Sequence, residues 1–118
     1  MDDRVAARIA HVKEAIGLSR QLLEGRAPED VRSDRFTRAA FERFLEIVSE
    51  ASRHIPEAWK AEHPQIPWRS IRDLGNVIRH AYDGIDFAIL WGIYEVDLAP
   101  LEAVLDVMLV AHSRKGQP

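Results

Sequence analysis

Side chains that can do chemistry are concentrated in one short segment, residues 72–82. An amide (Asn76), a guanidinium (Arg79), an imidazole (His80) and a phenol (Tyr82) stand there between ordinary apolar residues. An imidazole is the side chain best matched to proton transfer near neutral pH, so His80 is a candidate general acid or base. Arg79 can neutralise phosphate charge in a transition state, and Asn76 can orient the imidazole or a phosphate oxygen. This segment is therefore the candidate site.

The apolar residues of this segment recur with the period of an α-helix, so that polar and apolar side chains fall on opposite faces. One face carries apolar residues at intervals of three and four, namely Ile71, Leu74, Ile78, Ala81 and Ile85. At 100° per residue, the opposite face collects Arg72, Asn76, Arg79, His80 and Asp83. We expect this polar face to point away from the core. Tyr82 lies about 160° from His80 around the helix, which favours a half-buried packing role for the phenol.

Each candidate residue can also be explained without a catalytic or binding role. A single histidine on a helix is more often an exposed residue than a catalytic one, and Arg79 is equally compatible with a solvated surface position. Arg69 and Arg72 extend the positive face towards the helix start, where they either contact a phosphate backbone or are simply exposed. The other histidines stand in separate segments without the spacing of metal ligands, so neither a metal nor another cofactor is predicted.

Composition restricts the class of protein. The 118 residues are 47% hydrophobic and 30% charged, which is typical of a folded chain and predicts one domain over residues 1–118. Cysteine is absent, which excludes disulfides and thiolate metal sites. The charged N-terminus lacks the apolar core of a signal peptide, and no apolar stretch is long enough to span a membrane. We therefore expect a cytoplasmic protein. A net charge of −3 argues against strong nucleic-acid binding by the whole surface.

Helical periodicity extends through the rest of the chain and predicts an all-α, up-and-down bundle of four to five helices. A first stripe recurs at steps of four and three, consisting of Val5, Ile9, Val12, Ile16, Ser19 and Leu23. After Gly25, residues 27–30 are predicted to form a loop, and Ser33 or Asp34 to cap a second helix. The stripe predicted for that helix is Phe36, Ala40, Phe44, Ile47 and Ala51.

The C-terminal third is apolar on more than one side. Pro100 is predicted to divide it into two helices and to lie in the first turn of the second. Beside its main stripe runs a second apolar set, Ile89, Ile93, Val96, Val104, Val107 and Val110. A helix of this kind is usually buried on more than one side, so the pattern predicts a subunit interface. The tail from His112 onwards is expected to fray.

The order Asn-x-x-x-His-x-Tyr, preceded by Ile66-Pro67-Trp68-Arg69, resembles the signature of HepT-like ribonucleases in the HEPN superfamily. The likeness covers nearly the whole chain, from the long first helix to the acidic, leucine-rich helices around residues 97–101. It implies a HEPN-like helical bundle that forms a homodimer and cuts RNA without a metal as a toxin. It also implies a small MNT-type nucleotidyltransferase antitoxin that caps the cleft or adenylylates the tyrosine.

Transferred to this sequence, the resemblance assigns the catalytic histidine to His80, the polar residue to Asn76 and the modifiable tyrosine to Tyr82. The implied reaction is attack of a ribose 2′-OH on its own 3′-phosphate, with His80 moving protons, so DNA would not be cut. The family arginine does not transfer, because Gly75 stands where that arginine is usually found. Loss of a guanidinium that stabilises transition-state charge costs on the order of 10² in rate or more.

Two hypotheses from different classes follow. In the first, the chain is an RNA-cutting toxin in which Arg79 or Arg72 replaces the missing arginine. In the second, it is an inactive interaction module that still dimerises and binds a nucleotidyltransferase. A helical scaffold unrelated to the family is a third, less favoured, alternative.

Overall fold

The computed structural model describes residues 3–80 and 87–115, with the backbone alone at residues 3, 80, 114 and 115. Every secondary-structure element in these ranges is helical, so the predicted all-α fold is confirmed. The elements are α1 (Asp3–Leu23), α2 (Pro28–Ser33), α3 (Arg35–Ser52), α4 (Glu57–Ala61), α5 (Trp68–His80), α6 (Phe87–Gly92), a π-helical turn (Ile93–Asp97) and α7 (Leu98–Lys115). Helix α3 packs against α1, α2 and α5, and α1 also contacts α7.

Helix α1 follows the predicted stripe. Ile9, Val12, Ile16 and Leu23 are buried, and Ser19 is buried among them with its hydroxyl donating to the carbonyl of Ala15 at 2.9 Å. Intervals of three and four keep one side of the helix towards the core over its whole length. Gly25 follows with φ of 77°, the left-handed conformation that glycine adopts without strain.

The loop predicted at residues 27–30 is wrong, because α2 begins at Pro28. Proline is well suited to the first helical position, where its fixed φ matches the helix and a backbone N–H is not needed. Glu29 and Asp30 then place negative charge in the first turn, near the positive end of the helix dipole. Pro28, Glu29 and Asp30 therefore favour the start of a helix at this point, where the sequence analysis expected a loop.

Asp34, one of the two predicted caps, caps α3. Its carboxylate accepts hydrogen bonds from the backbone N–H groups of Phe36 at 3.0 Å and Thr37 at 3.3 Å, and from the Thr37 hydroxyl at 3.0 Å. The hydrogen bond from the Thr37 side chain, followed by the one from its backbone, holds the pKa of Asp34 below its ordinary value. The cap thus fixes where α3 starts and how its faces are oriented.

The stripe predicted for α3 is only partly correct. Phe36 is 82% exposed and Ala51 is buried, whereas Phe44 and Ile47 are partly buried and pack against the core. The face that meets the core is displaced by about one residue and consists of Thr37, Phe41, Leu45, Val48, Ser49, Ala51 and Ser52. Phe41 is fully buried and meets Phe87, Trp91 and Tyr94 edge-on, with ring centroids 6.0–6.4 Å apart. These contacts join α3 to the C-terminal helices.

Pro100 lies in the first turn of α7, as predicted, and the division takes the form of a π-helical turn. The N–H of Leu98 donates to the carbonyl of Ile93, five residues earlier. Proline has no N–H, and its ring crowds the carbonyl four residues before it, so the regular helix cannot pass through this point unchanged. The wider turn accommodates the proline without ending the helix.

The second apolar set of the C-terminal helices is divided between core and surface. Ile93 and Val104 are buried, whereas four members are more than half exposed: Ile89 (53%), Val96 (66%), Val107 (52%) and Val110 (52%). The fraying predicted from His112 is wrong for residues 112–115, because α7 continues to Lys115, and residues 116–118 lie outside the described part of the structure. The His112 ring stacks on Trp59 with 3.6 Å between ring centroids, and this contact orders the helix end.

Candidate functional site

Helix α5 carries the candidate residues and is held by its apolar face. Ile71, Leu74 and Ile78 are buried against the core. At the start of the helix, the Trp68 indole N–H donates to the carbonyl of His63 at 3.0 Å. This hydrogen bond ties the start of α5 to the segment before it. Burial of the apolar face directs the polar face outwards.

The exposed face of α5 holds four of the predicted site residues, Arg69, Arg72, Asn76 and Arg79. The remaining two cannot be placed in the same detail. His80 is the last residue of α5, and its side chain lies outside the described part of the structure. Tyr82 falls within residues 81–86, which also lie outside it.

Asn76 and Arg79 form a pair on this face. Nη2 of Arg79 donates to Oδ1 of Asn76 at 2.6 Å, across one turn of the helix. Arg72 is directed differently, because its Nε donates to the carboxylate of the adjacent Asp73 at 3.1 Å. The structure thus brings Asn76 and Arg79 together and leaves Arg72 paired with an acid.

Gly75 lies at the contact between α5 and α3, beside Ser49. The buried hydroxyl of Ser49 donates to the carbonyl of Arg72 at 2.9 Å and accepts from the N–H of Gly75 at 3.1 Å. A Cβ atom on residue 75 would stand 3.2 Å from Oγ of Ser49 and 3.2 Å from Nη1 of Arg79. The Arg79 guanidinium therefore lies beside position 75, in the space where a side chain of that residue would begin.

Alanine at position 75 is expected to destabilise the protein by about 1 kcal/mol. Alanine gains about 0.5–1 kcal/mol over glycine in a helix, but crowding a packed contact costs about 1–3 kcal/mol. The crowding prevails because two hydrogen bonds hold the Ser49 hydroxyl in place. With Ser49→Ala, the Ser49 Cβ at 3.6 Å and Nη1 of Arg79 at 3.2 Å remain. The guanidinium is the end of a flexible, exposed side chain that can move aside, so Gly75→Ala in that background should stabilise. Urea unfolding of the four proteins in this double-mutant cycle measures the difference.

Gly17→Ala is the matched control for this cycle. Gly17 lies inside α1 and a Cβ there meets nothing within 4 Å, so only the gain in helix propensity applies. It should stabilise by about 0.5–1 kcal/mol. If Gly75→Ala stabilises the wild type as much as Gly17→Ala does, the close contact with Ser49 is not a constraint.

A cavity of about 280 Å³ opens next to Arg79, between α1, α3 and α5. Its lining brings together three arginines and a histidine with two carboxylates, namely Arg8, His11, Arg43, Arg79, Glu46 and Glu50, beside Ile47 and Ala51. Sequence analysis missed Arg8, His11 and Arg43. Their spacing gives no local sign, because Arg8 and His11 flank the buried stripe of α1 and the phase of α3 was predicted incorrectly.

Nowhere in ranges 3–80 and 87–115 do three or more His, Cys, Asp or Glu side chains come together as metal ligands. Over the same ranges, no helix has both the length and the apolar character required to cross a membrane.

Known proteins provide independent comparisons. The family described as "Ribonuclease HepT-like" matches residues 12–108. A "Probable ribonuclease HepT" of Thermococcus cleftensis is 37% identical over 91 residues, covering 77% of this chain and 83% of that protein. A "Putative RNase" of Methanocaldococcus jannaschii is 33% identical over 76 residues, covering 64% of this chain and 70% of that protein. No solved structure matches with significance.

Proposed function

The chain belongs to the HepT-like ribonuclease family, and from that premise we propose that it is a metal-independent endoribonuclease acting as a toxin. One observation supports this most: Asn76 and Arg79 are hydrogen-bonded on the exposed face of a helix, directly before His80. The other face of that helix is buried, so the polar group is not a consequence of packing. A guanidinium held in this way is suited to a phosphodiester.

In the proposed reaction, the ribose 2′-oxygen attacks the adjacent phosphorus and the bond from phosphorus to the 5′-oxygen breaks. One proton leaves the 2′-OH and one is added to the departing 5′-oxygen, which gives a cyclic phosphate and a 5′-OH end. His80 moves these protons as general base and acid. Arg79 stabilises the negative charge that develops on the phosphate oxygens. Asn76 positions Arg79 through the 2.6 Å hydrogen bond.

Arg79 is a better candidate than Arg72 to replace the family arginine, whose usual position is occupied by Gly75 in this chain. Its Nη1 lies 3.2 Å from the position that a Cβ of residue 75 would occupy. Arg72 is engaged with Asp73 and stands eight residues before His80, about 12 Å along the axis. We therefore propose Arg79 as the charge-stabilising residue, and Arg72 and Arg69 as contacts to the RNA backbone.

The decisive test compares RNA with DNA of the same sequence. Purified full-length protein with EDTA should cut single-stranded RNA and leave the DNA intact, because the attacking group is the 2′-OH. RNA carrying 2′-O-methyl groups is the matched control and should also stay intact. Cleavage of the DNA, or a requirement for added metal, would contradict the mechanism. RNA that remains intact at every protein concentration would favour the inactive interaction module, which the departure at Gly75 supports.

We further propose a cytoplasmic homodimer that binds a small MNT-type nucleotidyltransferase antitoxin, with Tyr82 as the residue modified. The half-exposed side chains Ile89, Val96, Val107 and Val110 support an interface, because apolar surface of this kind is usually covered. Sedimentation should give a dimer at micromolar protein, and Val107→Glu should shift it to monomer. A wild-type monomer at that concentration would contradict the dimer.

A further inference from the structure

Two neighbouring cavities share lining residues where α1 meets α3 and together make up a groove. The first, of about 280 Å³, is lined by Arg79 among others, and the second, of about 270 Å³, lies further towards the C-terminal end of α1. His11 and Ile47 line both cavities and therefore stand at the junction. Their combined size is that of a small-molecule site rather than of a bound ion.

The first cavity carries cationic groups from three helices. Arg8 comes from α1, Arg43 from α3 and Arg79 from α5. Arg8 forms no ion pair with any residue in the described ranges, so its guanidinium is available to a ligand. Of the two carboxylates, Glu50 is 3.9 Å from Arg53 and 3.5 Å from His54, which lie outside the cavity, and Glu46 is 3.7 Å from Arg43.

The second cavity is of different character. Beside His11 and Ile47 it is lined by Glu14, Ala15 and Leu18, so its walls are mainly aliphatic. Aliphatic walls next to an imidazole can pack against a sugar and a base, whereas grouped guanidinium groups suit a phosphate. A phosphate followed by a ribose and base has this same order of charge and apolar surface.

We infer that this groove binds one nucleotide of a single-stranded RNA. Arg8, Arg43 and Arg79 hold its phosphate, His11 lies at the junction with the sugar, and Ala15, Leu18 and Ile47 contact the base. The inference rests on RNA being the substrate, as proposed above. Arg79 lines the groove and is also the proposed charge-stabilising residue, so Arg79 would connect a strand bound here to the proposed catalytic site.

The apolar half distinguishes RNA from a free anion. Inorganic phosphate would use the arginines alone and gain nothing from Leu18 or Ala15. A single-stranded nucleic acid uses both halves, and its binding weakens with salt in proportion to the phosphates that are neutralised. The two halves of the groove can therefore be tested separately.

The test is fluorescence anisotropy with a short fluorescein-labelled single-stranded RNA, measured from low to high salt. All variants are made in full-length protein carrying His80→Ala, so that the probe stays intact. Arg8→Gln and Arg43→Gln should each weaken binding about tenfold and reduce the salt slope by about 0.7. Leu18→Ser should weaken binding without changing the slope. Inorganic phosphate should not displace the probe at concentrations where unlabelled RNA does.

Arg35→Gln is the matched control, because Arg35 is an exposed arginine on the same helix as Arg43 and lies outside both cavities. It should leave affinity and slope unchanged, and circular dichroism should show every variant folded. If RNA is cut but Arg8→Gln and Arg43→Gln bind it like Arg35→Gln, the groove is overturned while the ribonuclease stands. If RNA is bound with these effects but never cut, the groove is supported and the proposed activity fails. If RNA is neither bound nor cut, both are overturned.

Discussion

Alanine in place of His80 is expected to lower the rate of RNA cleavage by about 10²–10⁴-fold, the usual contribution of a positioned general acid or base. RNA affinity should change little, because the arginines proposed to bind phosphate remain. His80 lies in the described helix α5, and alanine has a higher helix propensity than histidine, so circular dichroism should show a folded variant. Initial rates under single-turnover conditions measure the chemical step, and anisotropy measures binding.

His63→Ala is the matched control for that experiment. His63 precedes α5, and its contact with Trp68 is made by the backbone carbonyl, which alanine retains. The variant should cut RNA at the wild-type rate. If the His80 and His63 variants cut RNA equally fast, proton transfer by His80 is excluded and another group must perform it.

The phase of α5 could be predicted because its two faces differ so clearly in chemistry. Ile71, Leu74 and Ile78 form an unbroken apolar stripe, and no large apolar residue except Val77 lies elsewhere on the described helix after Trp68. Periodicity then determines which residues point outwards, and Asn76 and Arg79 were predicted correctly to be exposed. The hydrogen bond between them depends on rotamers, which periodicity does not specify.

The prediction of which face of α3 is buried was displaced by about one residue for a physical reason. The same error concealed part of the candidate site. Thr37, Ser49 and Ser52 face the core, and Phe36 is exposed. A buried serine is favourable when its hydroxyl is bonded, as that of Ser49 is to the backbone of α5, but its polarity makes it resemble a surface residue in a sequence. The displaced phase hid the fact that Arg43 and Ile47 line the same groove as Arg8 and His11.

Gly75 is a second position at which the sequence alone does not reveal the packing. Its identity marks a departure from the family pattern, but the sequence does not reveal that Ser49 occupies the space beside it. A larger residue at 75 must displace the buried hydroxyl or the guanidinium of Arg79. The glycine and the position of Arg79 are therefore coupled, which supports the proposal that Arg79 stabilises charge in the site.

Arg79→Ala is accordingly expected to lower RNA cleavage by about 10²–10³-fold, the usual cost of removing a donor that stabilises transition-state charge. Stability should change by less than about 0.5 kcal/mol, because the side chain is exposed. Arg79→Lys retains the charge but loses the planar fork that bonds Asn76 and a phosphate together, so it should recover only part of the rate.

Arg72→Ala is the comparison that decides which arginine compensates for Gly75. It removes an exposed guanidinium of the same helix that is bonded to Asp73, and we expect less than about a tenfold loss in rate with a lower salt slope for binding. A larger loss for Arg72→Ala than for Arg79→Ala would reverse the assignment. That result would mean that the Arg72 guanidinium reaches the phosphate from the first half of α5. Its pairing with Asp73 would then be broken when RNA binds.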